Sequence, residues 1–228
     1  QLFLTYAKRV FFSNGIHHHY SSKKIIPNFN EQFLSTLIYG SNAKLLPLQP
    51  GESVKDFVGF ITPVICDPNK DAKKINLAAN EDLLQTSAMN FYEGLSQAEV
   101  EAYYEKKIDK KDPTPISYGL NSKLVKENGE IKEKVWKVGG MYNNSIVKIV
   151  SWLEKAVTVA ENENQKDALK KLITFYKTGS LKDFDTYNIA WVKDIDSRVD
   201  VVNGFIEVYG DPLGYRASYE SVVSIKDM

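Results

Sequence analysis

The sequence is short of the residues that carry most metal and redox chemistry. It holds one cysteine, Cys66, and three histidines in 228 residues. A single cysteine cannot close an internal disulfide, which points to a reducing compartment or a fold that needs no disulfide. A cytoplasmic location is therefore expected. No apolar run approaches the ~18 residues of a membrane span, and no charged-then-apolar leader opens the chain. No membrane partner is expected. Nor is there an excess of one charge: Lys+Arg and Asp+Glu both number 29, so the balance offers nothing to nucleic acid. No Gly-x-x-x-x-Gly-Lys loop, dinucleotide fingerprint, Gly-x-Ser-x-Gly elbow or His-Glu-x-x-His motif occurs.

All three histidines stand together as His17-His18-His19, followed by Tyr20. Consecutive residues alternate faces on a strand and fan about 100° apart on a helix, so such a triplet seldom converges on one ion. No cysteine or well-spaced carboxylate stands nearby to complete a tetrahedral set. No metal ligand is assigned there.

What remains is the make-up of an ordinary globular chain, 43% hydrophobic and 12% aromatic, long enough for one large or two small domains. There is no initiator Met, and residues 1–12 open inside an amphipathic pattern, so a piece of a longer polypeptide is expected. Asn30 caps a short helix through Leu34 and Ile38 that Gly40 ends. Val54 to Cys66 is apolar, with Pro63 limiting any helix. A helical pattern is expected from about Lys74 to Tyr92, then a capping box at Ser96-Gln97-Ala98-Glu99. The charged stretch 106–115, closed by Pro115, is the expected subdomain boundary. Beyond it come a strand through Leu124, a turn at Asn128-Gly129 and a returning strand. Three amphipathic helices follow, one through Ile146 and Leu153, one ended by Gly179, and one capped by Ser180. The aromatics of these helices recur at core spacing.

The stretch Gly204-Phe205-Ile206-Glu207-Val208-Tyr209-Gly210-Asp211-Pro212-Leu213-Gly214 breaks this helical pattern. Its period is two, which places Phe205, Glu207 and Tyr209 on one face and Ile206 and Val208 on the other. The Gly-Asp-Pro-Leu-Gly run turns the chain, and a second strand from Ala217 to Ile225 brings Glu220 back toward the first. A carboxylate in an apolar strand either faces solvent from an edge or meets a cation or donors.

This stretch, with Tyr219-Glu220 after it, resembles the signature of the dipeptidyl peptidase III family. Further runs are similar: Phe12 to Tyr20 continuing to Asn28, Asn90 to Leu95, and Tyr118 to Leu124. Members are zinc-dependent exopeptidases that release dipeptides from the N-terminus of short peptides. The resemblance implies that Glu207 holds the substrate's free amino terminus and that Tyr209 stabilises the transition state. It implies too that Glu220 lies in the same cleft and that Tyr20 packs against substrate side chains. Gly210 departs from the pattern, since many members have Arg there. The family's zinc motif, His-Glu-x-x-x-His with a later Glu, is absent from these residues. The expectation is an α+β chain, mainly helical with a small antiparallel sheet or barrel. Residues 1–228 would form the substrate-binding lobe of a two-lobed metallopeptidase. The zinc-binding catalytic lobe is expected C-terminal to residue 228; zinc belongs to the parent enzyme and none is bound by this piece, whose partners are short peptides and that second lobe. The alternatives are a non-catalytic peptide-binding module that kept only the cleft face, and a purely structural helical scaffold.

Overall fold

Side-chain caps set most of the helix starts. Asn30 accepts the Phe33 N–H at 2.9 Å, and Ser53 with Asp56 and Ser96 with Glu99 form reciprocal capping boxes. The computed structural model describes residues 1–227, which divide between Ala88 and Met89 into two units. The 106–115 stretch, expected as a boundary, lies inside the second unit. There Lys107 and Ile108 extend the helical hydrogen bonding from Tyr104, and Lys107 pairs with Glu133 at 2.8 Å.

The first unit holds α1 (Leu2–Phe12), α2 (Glu31–Tyr39) and α3 (Val54–Cys66). Leu34, Ile38 and Val58 form its buried cluster, with Phe29, Phe57 and Ile61 packed against them. Pro63 does not stop α3; it sits in the last turns, and the helix ends three residues later with Asp67 N–H donating to the Pro63 carbonyl. The helix expected over 74–92 does not form. Short polar side chains there capture the backbone instead: Ser87 Oγ accepts the Asn76 N–H at 2.8 Å, and Asp82 Oδ1 accepts the Leu84 and Gln85 N–H groups. Asn80 adds a left-handed residue with φ of 69°. Such local bonds offer the chain an alternative to the helical ladder.

The second unit runs β1 (Tyr92–Glu93), α4 (Gln97–Glu105), β2 (Ser122–Glu127), β3 (Glu130–Val135), α5 (Asn143–Thr158), α6 (Glu163–Thr178), α7 (Leu181–Val192), β4 (Val199–Glu207) and β5 (Ser218–Ile225). β1 lies parallel to β2, and β2 and β3 form a hairpin whose Asn128 and Gly129 both have positive φ, as a two-residue turn of that hand requires. β4 and β5 pair antiparallel in a sheet of their own. The outcome is the mainly helical α+β class with small sheets. Neither sheet closes, so the barrel alternative is not realised among the described residues.

The apolar faces of α5, α6 and α7 meet in one core with Leu120, Trp136 and Phe205. Phe205 ties the motif strand into it: its ring centroid lies 4.9 Å from that of Trp136, 6.2 Å from Tyr176 and 6.4 Å from Phe175. Burying one such ring is worth about 1.5–3 kcal/mol, enough to fix where β4 rests.

Candidate functional site

Strict alternation along the motif strand fails at one place. Phe205 pairs with Tyr219, but Glu207, two residues on, pairs with Ser218, only one residue back, so β4 bulges at Ile206. Phe205 is buried while Glu207 and Tyr209 are exposed, which corrects the single face expected for the three. The slip has a chemical consequence. Ser218 and Glu220, two apart on β5, share a face, and Glu207 opposite Ser218 joins that face. An unbulged ladder would have aligned Glu207 with Phe205 and Tyr219 instead.

Tyr209 lies beyond the end of β4, in the turn, with its side chain 68% exposed. Among the described residues, no side-chain hydrogen bond or ion pair engages the carboxylates of Glu207 and Glu220 or the Tyr209 hydroxyl. Ile206 and Val208, on either side of Glu207, line an open hollow of about 840 Å³. Ile116, Phe184, Tyr187 and Trp191 are among the other residues that line it. Gly210 is buried, and a Cβ there would come no closer than 3.4 Å to Ser218 Oγ, an ordinary contact. Tyr20 belongs to the first unit, where it is 90% exposed on a turn and its ring meets that of His19 at 4.9 Å. The other histidines are engaged locally. His17 Nε2 lies 2.7 Å from the Asp71 carbonyl, and His18 Nδ1 accepts the Ser21 N–H.

The turn that carries Tyr209 toward Glu220 is held by a buried polar network that the sequence reading missed. Asp211 is 4% exposed; its Oδ1 accepts the Leu213 N–H, and its Oδ2 accepts the N–H groups of Tyr215 and Arg216. The same Oδ2 accepts the Tyr92 hydroxyl at 2.6 Å. Arg216 is fully buried, its guanidinium 4.5 Å from the ring centre of Tyr92 and 5.1 Å from that of Tyr104. Its Nη1 donates to the Tyr92 hydroxyl at 3.1 Å and its Nη2 to the Tyr104 hydroxyl. Tyr104 in turn donates to Glu133 at 2.9 Å, which also accepts from Ser122 at 2.7 Å and Lys107 at 2.8 Å. Each phenol thus accepts from the guanidinium and donates to a carboxylate, so every proton has one direction. Burial pushes both phenols well above their ordinary range, which keeps them protonated for that role. Gly119 makes room: with φ of 82°, a Cβ there would stand 2.7 Å from the Tyr104 hydroxyl and 2.9 Å from Arg216 Nη1. Only the Gly-Asp-Pro-Leu-Gly turn signal was readable in advance. Nothing local to Arg216 or Tyr92 announces burial.

Glu133 makes this network acid-sensitive. Burial alone would raise its carboxyl, but the hydrogen bonds from Lys107, Ser122 and Tyr104 and the Lys107 charge outweigh that and hold it below its ordinary 4.5. Its ionisation therefore stabilises the fold in full above pH 4.5, and that contribution is lost as pH falls through the lower folded value. In urea unfolding at a series of pH values, Glu133→Gln should flatten the acid limb of the stability curve. A limb as steep as that of the unmodified chain would show that other carboxylates set it.

Residues 118–228 match the model for peptidase family M49. The chain is also 25% identical, over 99% of its length, to dipeptidyl peptidase 3 of Homo sapiens, covering 33% of that protein.

The chain is homologous to the dipeptidyl peptidase III family.

A shorter match to dipeptidyl peptidase 3 of Dictyostelium discoideum is stronger, 41% identical over 88 residues, or 39% of this chain and 13% of that protein. Two solved structures share the fold. Dipeptidyl-peptidase III from Corallococcus sp. strain EGB matches 86% of this chain and 34% of its own, with a TM-score of 0.50 at 18% identity. DPP III from Caldithrix abyssi matches 99% of this chain and 38% of its own, with a TM-score of 0.51 at 15% identity. The chain thus spans about a third of the human relative's length. In this homologue of the dipeptidyl peptidase III family, the M49 match takes in the whole β4–β5 hairpin, with Glu207, Tyr209 and Glu220 on it.

Proposed function

We propose that this chain supplies the peptide-binding face of a dipeptidyl peptidase that removes dipeptides from the N-terminus of short peptides. The observation that carries the reading is the hairpin: Glu207 and Glu220 on its paired strands and Tyr209 in its turn carry polar groups that no other described side chain engages, and the turn is anchored by a buried network. Glu207 pairs with the substrate's ammonium, which restricts the reaction to free N-termini and fixes the register. Tyr209 donates a hydrogen bond to the carbonyl oxygen as charge develops there. Glu220 shares the Glu207 face and adds to the negative potential around the amine.

Zinc enters this reading through the family alone. Among the described residues no three His, Cys, Asp or Glu side chains are grouped to hold a metal ion. The ligand set does not fit here, and we assign the metal to a second lobe, encoded beyond residue 228 of the full-length enzyme, that closes on the face described above. A cytoplasmic setting suits the single thiol, and no helix among the described residues is long and apolar enough to cross a membrane.

Glu207→Gln in the full-length protein tests the amine anchor. Losing one charge-assisted contact of ~1.5–3 kcal/mol should raise KM for free-amine peptides about 10- to 100-fold. Binding of N-acetylated analogues, already poor, should not change. An unaltered KM, or equal losses for free and acetylated peptides, would remove Glu207 from the role.

A further inference from the structure

The two ends of the Gly210–Ala217 turn are fastened to one hydroxyl outside the hairpin. Asp211, two residues after Tyr209, accepts the Tyr92 O–H at 2.6 Å; Arg216, four residues before Glu220, donates to the same oxygen at 3.1 Å. The Arg216 N–H donates directly to the Asp211 carboxylate at 2.8 Å, but no direct ion pair joins the two side chains among the described residues, and the Tyr92 hydroxyl bridges those. Tyr92 itself is held in β1, paired in parallel with Leu124 of β2, and is 9% exposed. Around this point the turn is internally braced by the Asp211 carboxylate on the N–H groups of Leu213, Tyr215 and Arg216, and by Gly214 N–H on the Asp211 carbonyl. Tyr209, by contrast, has no side-chain hydrogen bond to another described residue to fix it. Its backbone position is inherited from the turn that follows.

We propose that Tyr92 is a positioning residue for Tyr209: its hydroxyl, bridging Asp211 and Arg216, holds the turn so that the Tyr209 phenol meets the reacting carbonyl. The inference rests on the peptidase reading, in which Tyr209 acts in the transition state. A phenol that must donate to a developing charge works only within a few tenths of an ångström of its place, and an error of 1 Å can cost on the order of 100-fold. Tyr92 touches no substrate in this account; it acts through the backbone of the turn.

Tyr92→Phe separates positioning from simple support, because the ring beneath the guanidinium is kept and only the hydroxyl is lost. The full-length protein is assayed for dipeptide release well below its unfolding temperature, with circular dichroism confirming the folded state. The expected result is a kcat reduced roughly 10- to 100-fold with KM within about twofold of the original. In a Tyr209→Phe background, the same change should lower kcat little further, because the group it positions has already gone. A folded Tyr92→Phe enzyme with unchanged kcat overturns the inference, as does a loss that is fully additive with Tyr209→Phe. The peptidase reading fails separately: a Tyr209→Phe enzyme with undiminished kcat removes the catalytic role of Tyr209, and the positioning role of Tyr92 falls with it.

Discussion

Arg216→Met should lower the stability of the second unit by about 3–5 kcal/mol, the usual loss when one member of a buried charged network is removed. The side chain is fully buried, and its charge is balanced at one remove through two phenols that pass their own protons to Asp211 and Glu133. Methionine restores much of the volume but none of the donors. It would leave the Tyr92 and Tyr104 oxygens each short of one hydrogen bond and Asp211 without a cation behind Tyr92, while Glu133 keeps its pairing with Lys107. The guanidinium is not perfectly satisfied, since its Nε has no partner among the described residues. That cost is already present in the folded state and takes something from the net worth of the residue. Urea unfolding followed by circular dichroism gives the number directly. A loss below ~1 kcal/mol would mean that water reaches the guanidinium, and that the network is not the dry cluster described above.

Tyr209→Phe in the full-length protein should cut kcat for dipeptide release by about 10²–10³ while changing KM little. The size follows from the value of one pre-placed donor at a developing oxyanion, roughly 2.7–4 kcal/mol in other enzymes. Two observations make Tyr209 the candidate. It is 68% exposed at the end of the motif strand, and its hydroxyl is engaged by no other described residue, so its proton is free for a ligand. Stability should hardly move, because the ring is not part of the core. Equal losses in kcat/KM and in substrate affinity would make Tyr209 a ground-state contact. The hydrogen bond would then have to come from another group.

These two expectations also mark where local pattern stops being informative. Most helices and their ends were legible where a cap stood next to an amphipathic run, but α5 starts at Asn143 after Tyr142 with no side-chain cap, not at the cap expected from Asn144 or Ser145. Ser96–Glu99, Asn128-Gly129, Gly179 and Ser180 all act as read, because each effect is decided within four residues. The 74–92 stretch misled, since its apolar spacing suits a helix while its Asn, Asp and Ser side chains take the backbone bonds a helix needs. The site residues were legible as a motif through resemblance, not as a geometry.

Sequence alone was enough for the resemblance to the dipeptidyl peptidase III family, the mainly helical class with a small strand pair, and the turn that joins Tyr209 to Glu220. Those follow from periodicity, turn chemistry and motif, which are properties of neighbours in the chain. Tertiary structure alone decided that the bulge at Ile206 turns Glu207 onto the face of Glu220, and that Phe205 is pulled inward against Trp136. It alone decided that Arg216 is buried between Tyr92 and Tyr104, residues 124 and 112 positions away in sequence. A register slip or a buried charge is settled by what lies across the fold, where partners far apart in sequence decide whether a polar group can leave water.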